Sequence, residues 1–468
     1  MKTLILINED FHEMILGQNT TLAYILAAVD LRHNIYIHKI AAEGFFSGEE
    51  VAAINLNFEK NSDLVQKYKE LNSLALTDSR KISVRDFCQI NFAESKIKIT
   101  DVEYIIQRLE PMKLPFPPLG EIDIKEYLQK LQDIFPDKKF NNPSNCYDDK
   151  ELPLVLSEDY KNLATPTIIA ELFVDDFFAA SGAEDVMRKN SSITKNNFPT
   201  IKNLCEVFQT NKIVIKPQNS AQGFGVFAIE FVQDSDDLQK IQEQGFLPQQ
   251  SFKIKDKLAQ DEFRKIVEIL CFWQFLKTQN NNSNICLKNF APEAIKNGAI
   301  SLYGKKILIQ PFLVGVVLGD VRINLAKNKS DNFVVVGSVF RKNINQNNGD
   351  FITGITSGHA RAVRVEDVIA IDEEKNLISK INFVLDKLNN DLALKTKYKN
   401  CLELGCDFLL KGDKKEVFLG EVNHYCPALV PFSEVLEWQA KNLSFYQKIN
   451  GIRVSYDGGL GVVKEIIA

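Results

Sequence analysis

Three polar residues near the end of the chain have the chemistry of a metal site. Two apolar runs, 404–410 and 417–423, flank a short polar segment, and this pattern predicts a β-hairpin. Side chains alternate along a strand, so Glu421 and Asn423 share a face that Asp407 on the partner strand can join. Mg²⁺ prefers carboxylate and amide oxygens, together with water and phosphate oxygens. The residues therefore predict a magnesium site, with a solvated polar hairpin face as the alternative.

A glycine-containing segment, 216–225, links two predicted strands and has the composition of a phosphate-binding flap. Gly223 and Gly225 let backbone amides approach an anion closely, and Lys216 before them would neutralise phosphate charge. No Gly-Lys-Ser/Thr sequence follows and the next element is a strand, which excludes a Walker A loop and a dinucleotide fingerprint. The alternative is an ordinary hairpin turn that contains glycine.

Two arginines lie on successive predicted strands, with an acidic residue close to the first. These are Arg322 and Arg341, and Asp320 precedes Arg322 by two positions. Arginines that face a nucleotide pocket stabilise the charge of a phosphoryl group during its transfer. Either arginine taken alone also fits an ordinary exposed sheet face.

Composition places the chain among ordinary globular proteins. Its 468 residues are enough for two or three domains, and the net charge of −5 argues against a surface that coats nucleic acid. The first apolar run, 4–7, is too short for a signal peptide, and no segment reaches transmembrane length, so we expect no membrane partner. Eight cysteines without zinc-site spacing favour a reduced, cytoplasmic setting.

Hydrophobic periodicity divides the chain near residue 140. The first part predicts a small doubly wound α/β domain, with strands at 4–7, 35–37 and 104–106 and a helix over 22–29.

The part after residue 140 is strand-rich and predicts an α+β fold with antiparallel sheet. Residues 232–300 are predicted to be helical and polar, with a loop at 280–284. The predicted strands are 165–169 (an edge strand), 212–216, 226–231, 307–310, 321–325 and 334–340.

The order of these features resembles the ATP-grasp superfamily, and within it the prokaryotic glutathione synthetases most closely. The resemblance covers most of the chain, and the ordered set is specific although no single motif is. The set comprises Lys150 after Asn142-Pro143, the Ile-Lys-Pro strand with its glycine segment, Gln310-Pro311-Phe312, Asp320-Val321-Arg322, Arg341, Asp407 and Glu421-Val422-Asn423.

This resemblance implies an ATP-grasp fold, α/β and α+β, with three parts. We expect an N-terminal doubly wound pre-ATP-grasp domain at 1–140, a lid subdomain at 141–305, and a C-terminal antiparallel-sheet catalytic subdomain at 306–468. The chain is longer than typical members, mostly through residues 171–200 and an insertion near 232–300.

The resemblance also implies roles for individual residues. ATP and Mg²⁺ are expected, with Mn²⁺ as an alternative metal. The expected contacts are Lys150, Lys216, Gly223 and Gly225 with the ATP phosphates; Gln310, Phe312 and Leu313 with adenine; Asp407, Glu421 and Asn423 with the metal; Arg322 and Arg341 with the phosphoryl group and the acyl phosphate; and Arg108 with the acyl substrate.

One loop departs from the family pattern. Where the family usually has Arg-Gly-Asn after the second arginine, this chain has Asn347-Asn348-Gly349-Asp350. Asp350 would repel a substrate carboxylate and could select a cationic or amine-bearing group, unless it points to solvent. His359 stands where the family often has an arginine and Cys426 where it has a serine; we expect a solvated histidine and a core or substrate-lining cysteine.

Together these features predict an ATP-dependent carboxylate–amine ligase that acts on amino acids or peptides through an acyl phosphate. One alternative is glutathione synthetase itself, which joins γ-glutamylcysteine to glycine; the altered loop argues against it. Another is a nucleotide-binding regulatory protein that keeps the fold without turnover. No nucleic-acid partner is expected, and a homo-oligomer is left open.

Overall fold

The structure, a computed structural model, describes residues 2–7, 10–14, 20–40, 50–73, 83–87, 94–108, 129, 132–133, 138–140, 152–171, 198–217, 225–234, 251–279, 306–328, 330–344, 351, 360–363, 365–399 and 401–423. The chain divides into two compact units. The first consists of Met1–Ala164, Gly315–Gln346 and Phe351–Ala468, and the second of Thr165–Val314 and Asn347–Asp350. The three-domain division stays a prediction.

The N-terminal part of the first unit forms a six-stranded sheet. Its elements are β1 (Lys2–Ile7), α1 (Thr20–Asp30), β2 (Asn34–Lys39), β3 (Glu50–Leu56), α2 (Phe58–Ser73), α3 (Val84–Phe87), β4 (Glu94–Lys98), β5 (Tyr104–Arg108) and β6 (Lys139–Phe140). The strand order is β4-β3-β2-β1-β5-β6. β1 is parallel to β2 and β5, as a doubly wound domain requires, whereas β3 and β4 extend the sheet in antiparallel fashion.

The second unit contains a five-stranded sheet. Its elements are β7 (Ile168–Glu171), α5 (Ile201–Phe208), β8 (Lys212–Pro217), β9 (Phe227–Val232), β10 (Ser251–Lys255), α6 (Gln260–Gln279) and β11 (Lys306–Pro311); helix α4 (Leu152–Ser157) precedes them in the first unit. The order β10-β9-β8-β11-β7 places β7 at an edge, as the sequence predicts. β11 is antiparallel to both neighbours, β7 and β8.

The prediction that residues 232–300 are helical is wrong for one segment. Ser251–Lys255 is strand β10, parallel to β9, and the segment that follows it, α6, is a long helix. Phe252 and Ile254 are buried while Lys253 and Lys255 are exposed, which is the two-residue alternation of a half-buried strand. The segment 280–284 lies outside the described residues.

The C-terminal part of the first unit forms an antiparallel sheet, as predicted. Its elements are β12 (Gly319–Lys327), β13 (Phe333–Asn343), β14 (Ala360–Val363), α7 (Ile371–Asn390), α8 (Leu392–Lys397), β15 (Glu403–Leu410) and β16 (Val417–Asn423). The order is β14-β13-β12-β15-β16, and every neighbouring pair is antiparallel.

One face of this C-terminal sheet is apolar and the other is polar at its centre. Alternate residues of β12, such as Val321 and Ile323, pack in a core cluster with apolar residues of α7, including Leu377 and Ile381. Burying this face against a helix removes its apolar side chains from water and stabilises the sheet. The opposite face, here called the polar face, carries Asp320, Arg322 and Asn324 of β12, Arg341 of β13, Asp407 of β15, and Glu421 and Asn423 of β16.

The apolar end of that polar face packs against the N-terminal sheet. Ala326, Val334 and Val336 belong to one core cluster with Ile7 and Tyr24. The two sheets of the first unit therefore share a hydrophobic core. In the described residues, no helix is long and apolar enough to cross a membrane.

Candidate active site

The predicted C-terminal hairpin is present and its turn has the expected chemistry. Gly412 and Lys414 have positive φ, 102° and 59°. The carboxylate of Asp413 accepts hydrogen bonds from the backbone N–H groups of Lys415 and Glu416 at 2.9 and 3.0 Å. The turn pairs β15 with β16 from Val417 to Asn423, with one shift in register.

A β-bulge at Gly420 decides which face the acidic residue of β16 occupies. Leu419 pairs with Phe408 and both are in the core, so strict alternation would place Glu421 in the core as well. Instead the register shifts between Asp407 and Phe408, and Gly420 becomes the extra residue. Glu421 consequently lies opposite Asp407 on the polar face.

The three residues predicted to bind metal come together on this face. Asp407 and Glu421 are direct cross-strand neighbours. The amide of Asn423 donates to a carboxylate oxygen of each, at 3.1 Å to Asp407 and 3.0 Å to Glu421. The sequence prediction that these side chains share one face is confirmed.

Both predicted arginines join the same cluster. Arg322 lies opposite Asp407 and holds it with two hydrogen bonds, of which the Nη2 bond is 2.7 Å. Arg341 lies opposite Asp320, binds it through Nε and Nη2 at 2.5 and 2.6 Å, and also reaches Asp407 at 2.9 Å. Such bidentate pairs fix the guanidinium orientation as well as its charge.

The cluster carries an excess of negative charge. It contains the carboxylates of Asp320, Asp407 and Glu421 against the guanidinium groups of Arg322 and Arg341. Burial by itself raises the pKa of Asp407, but the charges of Arg322 and Arg341 outweigh burial and hold that pKa well below its ordinary value. Asp407 is therefore ionised at neutral pH.

The donor set fits a hard divalent cation. Two carboxylates and an amide converge, the excess charge is negative, and the Asn423 amide would present Oδ1 to a cation after rotation about χ2. Within the described part of the chain, no three His, Cys, Asp or Glu side chains gather as a metal site would. Water and phosphate oxygens would have to complete the coordination, as is usual for Mg²⁺.

The cysteine beside this cluster is not a nucleophile. Cys406 lies in the core, and burial raises the pKa of its thiol to about 12. Its side chain points away from the polar face because it neighbours Asp407 on the strand.

The second unit contains those predicted nucleotide-binding residues that the structure describes. Lys216 lies opposite Leu308, and Gln310 lies opposite Val214, two residues further along the same strand pair. Since Ile215 and Ile309 belong to the core cluster, alternation places Lys216 and Gln310 together on the other face of the sheet. Gly225, two residues before β9, has φ 73°, a conformation that favours glycine.

Gln310 has a buried acceptor that lacks a partner. Its Nε2 donates to the hydroxyl of Thr167 at 2.9 Å, whereas its Oε1 accepts no hydrogen bond in the described structure. A buried carbonyl of this kind favours a ligand that brings a donor. Next to it, the backbone N–H of Phe312 donates to Lys212 O at 2.9 Å, and the Lys212 ammonium lies 4.0 Å from the Phe312 ring centroid. Leu313 is buried beside them.

Arg108, the predicted N-terminal substrate residue, is buried. Its Nη1 lies 3.3 Å from Oε1 of Glu403, and each of the two side chains is 1% exposed. The guanidinium also lies 5.5 Å from the ring centroid of Tyr24. The charge of Arg108 is thus compensated inside the first unit, and its contact with a substrate stays a prediction.

Several predicted residues lie outside the described structure. These are Lys150, Gly223, Asp350, His359 and Cys426.

Sequence reasoning missed two polar residues of the polar face. Asn324 follows Arg322 by two residues, and Glu403 precedes Asp407 by four, so alternation alone places them on the same face as the arginine and the aspartate. Glu403 is a polar residue in an otherwise apolar run, and Asn324 continues the alternation of Asp320 and Arg322; these are the signals that could have identified them. Both are almost fully buried.

Comparison with known proteins gives a family match. Residues 191–450, more than half of the chain, match the model of a family described as YheC/D like ATP-grasp. The matched part contains β8 to β16 and with them the polar face. No curated protein matches the chain.

Solved structures that resemble the chain are distant. D-alanyl-alanine synthetase A from Vibrio cholerae is 10% identical, with a TM-score of 0.44, and the alignment covers 99% of this chain and 98% of that one. The D-alanine-D-alanine ligase from Coxiella burnetii is 8% identical, with a TM-score of 0.40 and coverage of 96% and 95%. N5-carboxyaminoimidazole synthetase from Staphylococcus aureus, complexed with ADP, is 8% identical, with a TM-score of 0.39 and coverage of 96% and 75%.

Proposed function

Since the chain belongs to the YheC/D-like ATP-grasp family, we propose that it is an ATP-dependent carboxylate–amine ligase. ATP would phosphorylate a substrate carboxylate, with release of ADP, and an amine would then displace phosphate from the acyl phosphate to form an amide. The reaction needs no covalent nucleophile from the protein. The observation that carries the proposal is the cluster of Asp407, Glu421 and Asn423, backed by Arg322 and Arg341.

In this proposal Asp407, Glu421 and Asn423 hold the metal, which would be Mg²⁺ or Mn²⁺. When bound, the ion would offset the negative charge of the phosphates. Arg322 and Arg341 keep Asp407 ionised and fixed in orientation, so that the carboxylate keeps its place while the Asn423 amide turns to admit a cation. The same guanidinium groups would stabilise negative charge on the transferring phosphoryl group.

We assign the remaining predicted residues to ATP and to the substrates. Gln310, Phe312 and Leu313 would contact adenine, and the unsatisfied Oε1 of Gln310 suits the exocyclic amino group of that base. Arg108 and Asp350 are assigned to the substrates, which are amino acids or peptides, and the setting would be cytoplasmic. The phosphates are assigned to Lys150, Lys216, Gly223 and Gly225.

Replacing Lys216 by alanine should weaken ATP binding. The substitution removes a positive charge at the end of β8, just before the glycine segment, and charge-assisted hydrogen bonds to phosphate are among the stronger polar contacts. We expect the Kd for ATP, measured by calorimetry, to rise about tenfold or more.

The matched control is Lys255→Ala, which removes the same side chain from an exposed position on β10 of the same sheet. This variant should bind ATP like the wild type. Equal ATP affinity for the Lys216 variant and the control would remove Lys216 from the nucleotide site.

The glutathione precursors should be poor substrates. Asp350 stands at the last position of the family's Arg-Gly-Asn loop, and its carboxylate would repel an anionic substrate. The arginine of that loop is absent from this chain, so its paired hydrogen bonds to a substrate carboxylate are lost. A steady-state ADP assay with γ-glutamylcysteine and glycine at millimolar concentration tests this. Turnover of roughly one per second or faster would identify a glutathione synthetase and contradict the loop argument.

The experiment that tests the proposed function is a screen for substrate-dependent ADP release. The full chain, with Mg²⁺ and ATP, is incubated with pairs drawn from amino acids and dipeptides. A ligase should release ADP only when both a carboxylate and an amine substrate are present. ATP binding without ADP release for any pair would instead indicate a nucleotide-binding regulatory protein.

A further inference from the structure

A band of small and amide side chains crosses the polar face next to the metal cluster. Asn324 lies opposite Gly337 on β13 and opposite Gly405 on β15, and Gly405 lies opposite Asn423 on β16. These four residues, here called the trough, form one row across four strands. On the same face, the row lies two residues along β12 from Arg322 and two residues along β15 from Asp407.

The amide at the centre of the trough has no partner. Asn324 is 1% exposed, yet neither its Oδ1 nor its Nδ2 makes a hydrogen bond in the described structure. Burying an amide without hydrogen bonds is unfavourable, so native proteins satisfy nearly all such groups. In functional proteins, an exception of this kind often marks a position where a ligand supplies the missing partner.

One glycine of the trough would accept a methyl group without a clash. A Cβ atom placed on Gly337 would lie 3.7 Å from Nδ2 and 4.0 Å from Cβ of Asn324, which are ordinary contacts and the nearest ones among the described residues. By contrast, a Cβ on Gly319 of the neighbouring strand would lie 2.2 Å from Arg341 O. Gly337 is therefore a position where the protein could carry a side chain and does not.

The charges around the trough favour a neutral ligand group. Arg322 is held by Asp407, Arg341 by Asp320 and Asp407, and Arg108 by Glu403. A ligand carboxylate buried here would compete with these carboxylates for the arginines. An ammonium group would use only Oδ1 of Asn324, whereas a primary carboxamide, or the N–H and C=O of one extended peptide residue, donates to Oδ1 and accepts from Nδ2 together.

We propose that Asn324 binds a peptide or carboxamide group of the substrate, which lies in the trough beside the metal cluster. The inference rests on the proposed ligase function and narrows its substrate class from free amino acids to molecules that already contain an amide. Asn324 is then a specificity-determining residue. Its amide lacks hydrogen bonds in the free protein, which lowers the free energy of unfolding until the substrate binds.

Two variants test the proposal. Asn324→Leu keeps the side-chain size and removes both hydrogen-bonding atoms. Gly337→Ala places a methyl group in the trough and leaves the Asn324 side chain unchanged. The probe is N-acetylalanine N-methylamide in both chiral forms, and alanine, which contains no amide, is the comparison ligand. Binding is measured at equilibrium on the full chain with Mg²⁺ and a non-hydrolysable ATP analogue, so that turnover is not required.

We expect the wild type to bind at least one form of the amide probe, and each variant to bind it about tenfold more weakly or not at all. The affinity for alanine should not change in either variant. An amide probe that fails to bind the wild type, or that binds all three proteins equally, would overturn the proposal.

Thermal unfolding of the free proteins gives a second readout. Asn324→Leu should raise Tm, because it removes a buried polar group that lacks a partner. Gly337→Ala should leave Tm unchanged or slightly higher. A lower Tm for Asn324→Leu would mean that the protein or an ordered water already satisfies the amide, and the proposal would fail. Failure of the proposed ligase function would be detected separately, because the wild type would then release no ADP with any substrate pair.

Discussion

Glu421→Gln should abolish Mg²⁺-dependent ADP formation while the protein remains folded. The substitution is nearly isosteric, so the strand pairing and the hydrogen bond with Asn423 can persist. It removes one of the three carboxylates that face the two guanidinium groups, and the excess negative charge that attracts a cation disappears. We expect substrate-dependent ADP release to fall at least about 100-fold, with an unchanged circular dichroism spectrum and Tm.

A matched control lies on the same hairpin. Glu416→Gln makes the identical chemical change at a carboxylate that pairs with Lys411 at 2.6 Å, close to solvent and away from the polar face. Its ADP release should stay within about twofold of the wild type, as surface ion pairs contribute little. If Glu421→Gln is folded and as active as this control, Glu421 does not hold the metal.

Asp407→Asn should damage both stability and activity. The Asp407 carboxylate binds Arg322 and Arg341 in a buried setting, and its loss leaves the buried Arg322 facing a neutral amide, whereas Arg341 keeps its pairing with Asp320. Removing one partner of a buried ion pair costs about 3–5 kcal/mol in the free energy of unfolding. ADP release should also fall at least about 100-fold, since the variant loses a metal ligand and its charge.

The pH dependence of stability follows from the depressed pKa of Asp407. In the unfolded chain this carboxyl has the ordinary value of 3.8, and in the folded protein its pKa is lower. Its contribution to stability is therefore complete above that ordinary value and is lost as the pH falls through the folded-state pKa. The difference in stability between the wild type and Asp407→Asn should accordingly narrow in strong acid.

Asp101→Asn is the control for burial. Asp101 also forms an ion pair, with Lys2 at 3.0 Å, but its side chain is 48% exposed. The free energy of unfolding should change far less than in Asp407→Asn, because exposed ion pairs contribute little to stability. Denaturant titrations of both variants at neutral pH make the comparison, and similar losses for the two would show that the cluster around Asp407 is not a buried network.

Much of the fold could be predicted from the sequence because its strands follow simple patterns. The hairpin of β15 and β16, the strands around Lys216 and Arg322, and the antiparallel character of the C-terminal sheet all follow from apolar runs bounded by turn residues. The shared face of Glu421 and Asn423 also follows from alternation along one strand, whereas their meeting with Asp407 depends on the bulge at Gly420.

Other features depend on packing that no local pattern encodes. The bulge at Gly420 shifts the alternation of side chains between the two faces of β16. A glycine at this position fits a turn as well as a bulge, so the sequence does not predict the bulge. For Ser251–Lys255 the sequence predicts part of a helical segment, because only five residues alternate before a long helix begins. Pairing of Arg108 with Glu403 joins residues 295 positions apart, and the burial that makes Asn324 unusual emerges only once the sheets are packed.

Transfer of oxygen from the substrate to phosphate tests the central claim most directly. With a substrate whose carboxylate is labelled with ¹⁸O, an acyl-phosphate ligase passes one labelled oxygen to each inorganic phosphate it releases, and forms one ADP and one amide per phosphate. We predict this transfer for the wild type and its loss in Glu421→Gln. Amide formation with unlabelled phosphate, or ADP release without amide, would contradict the proposed ligase mechanism.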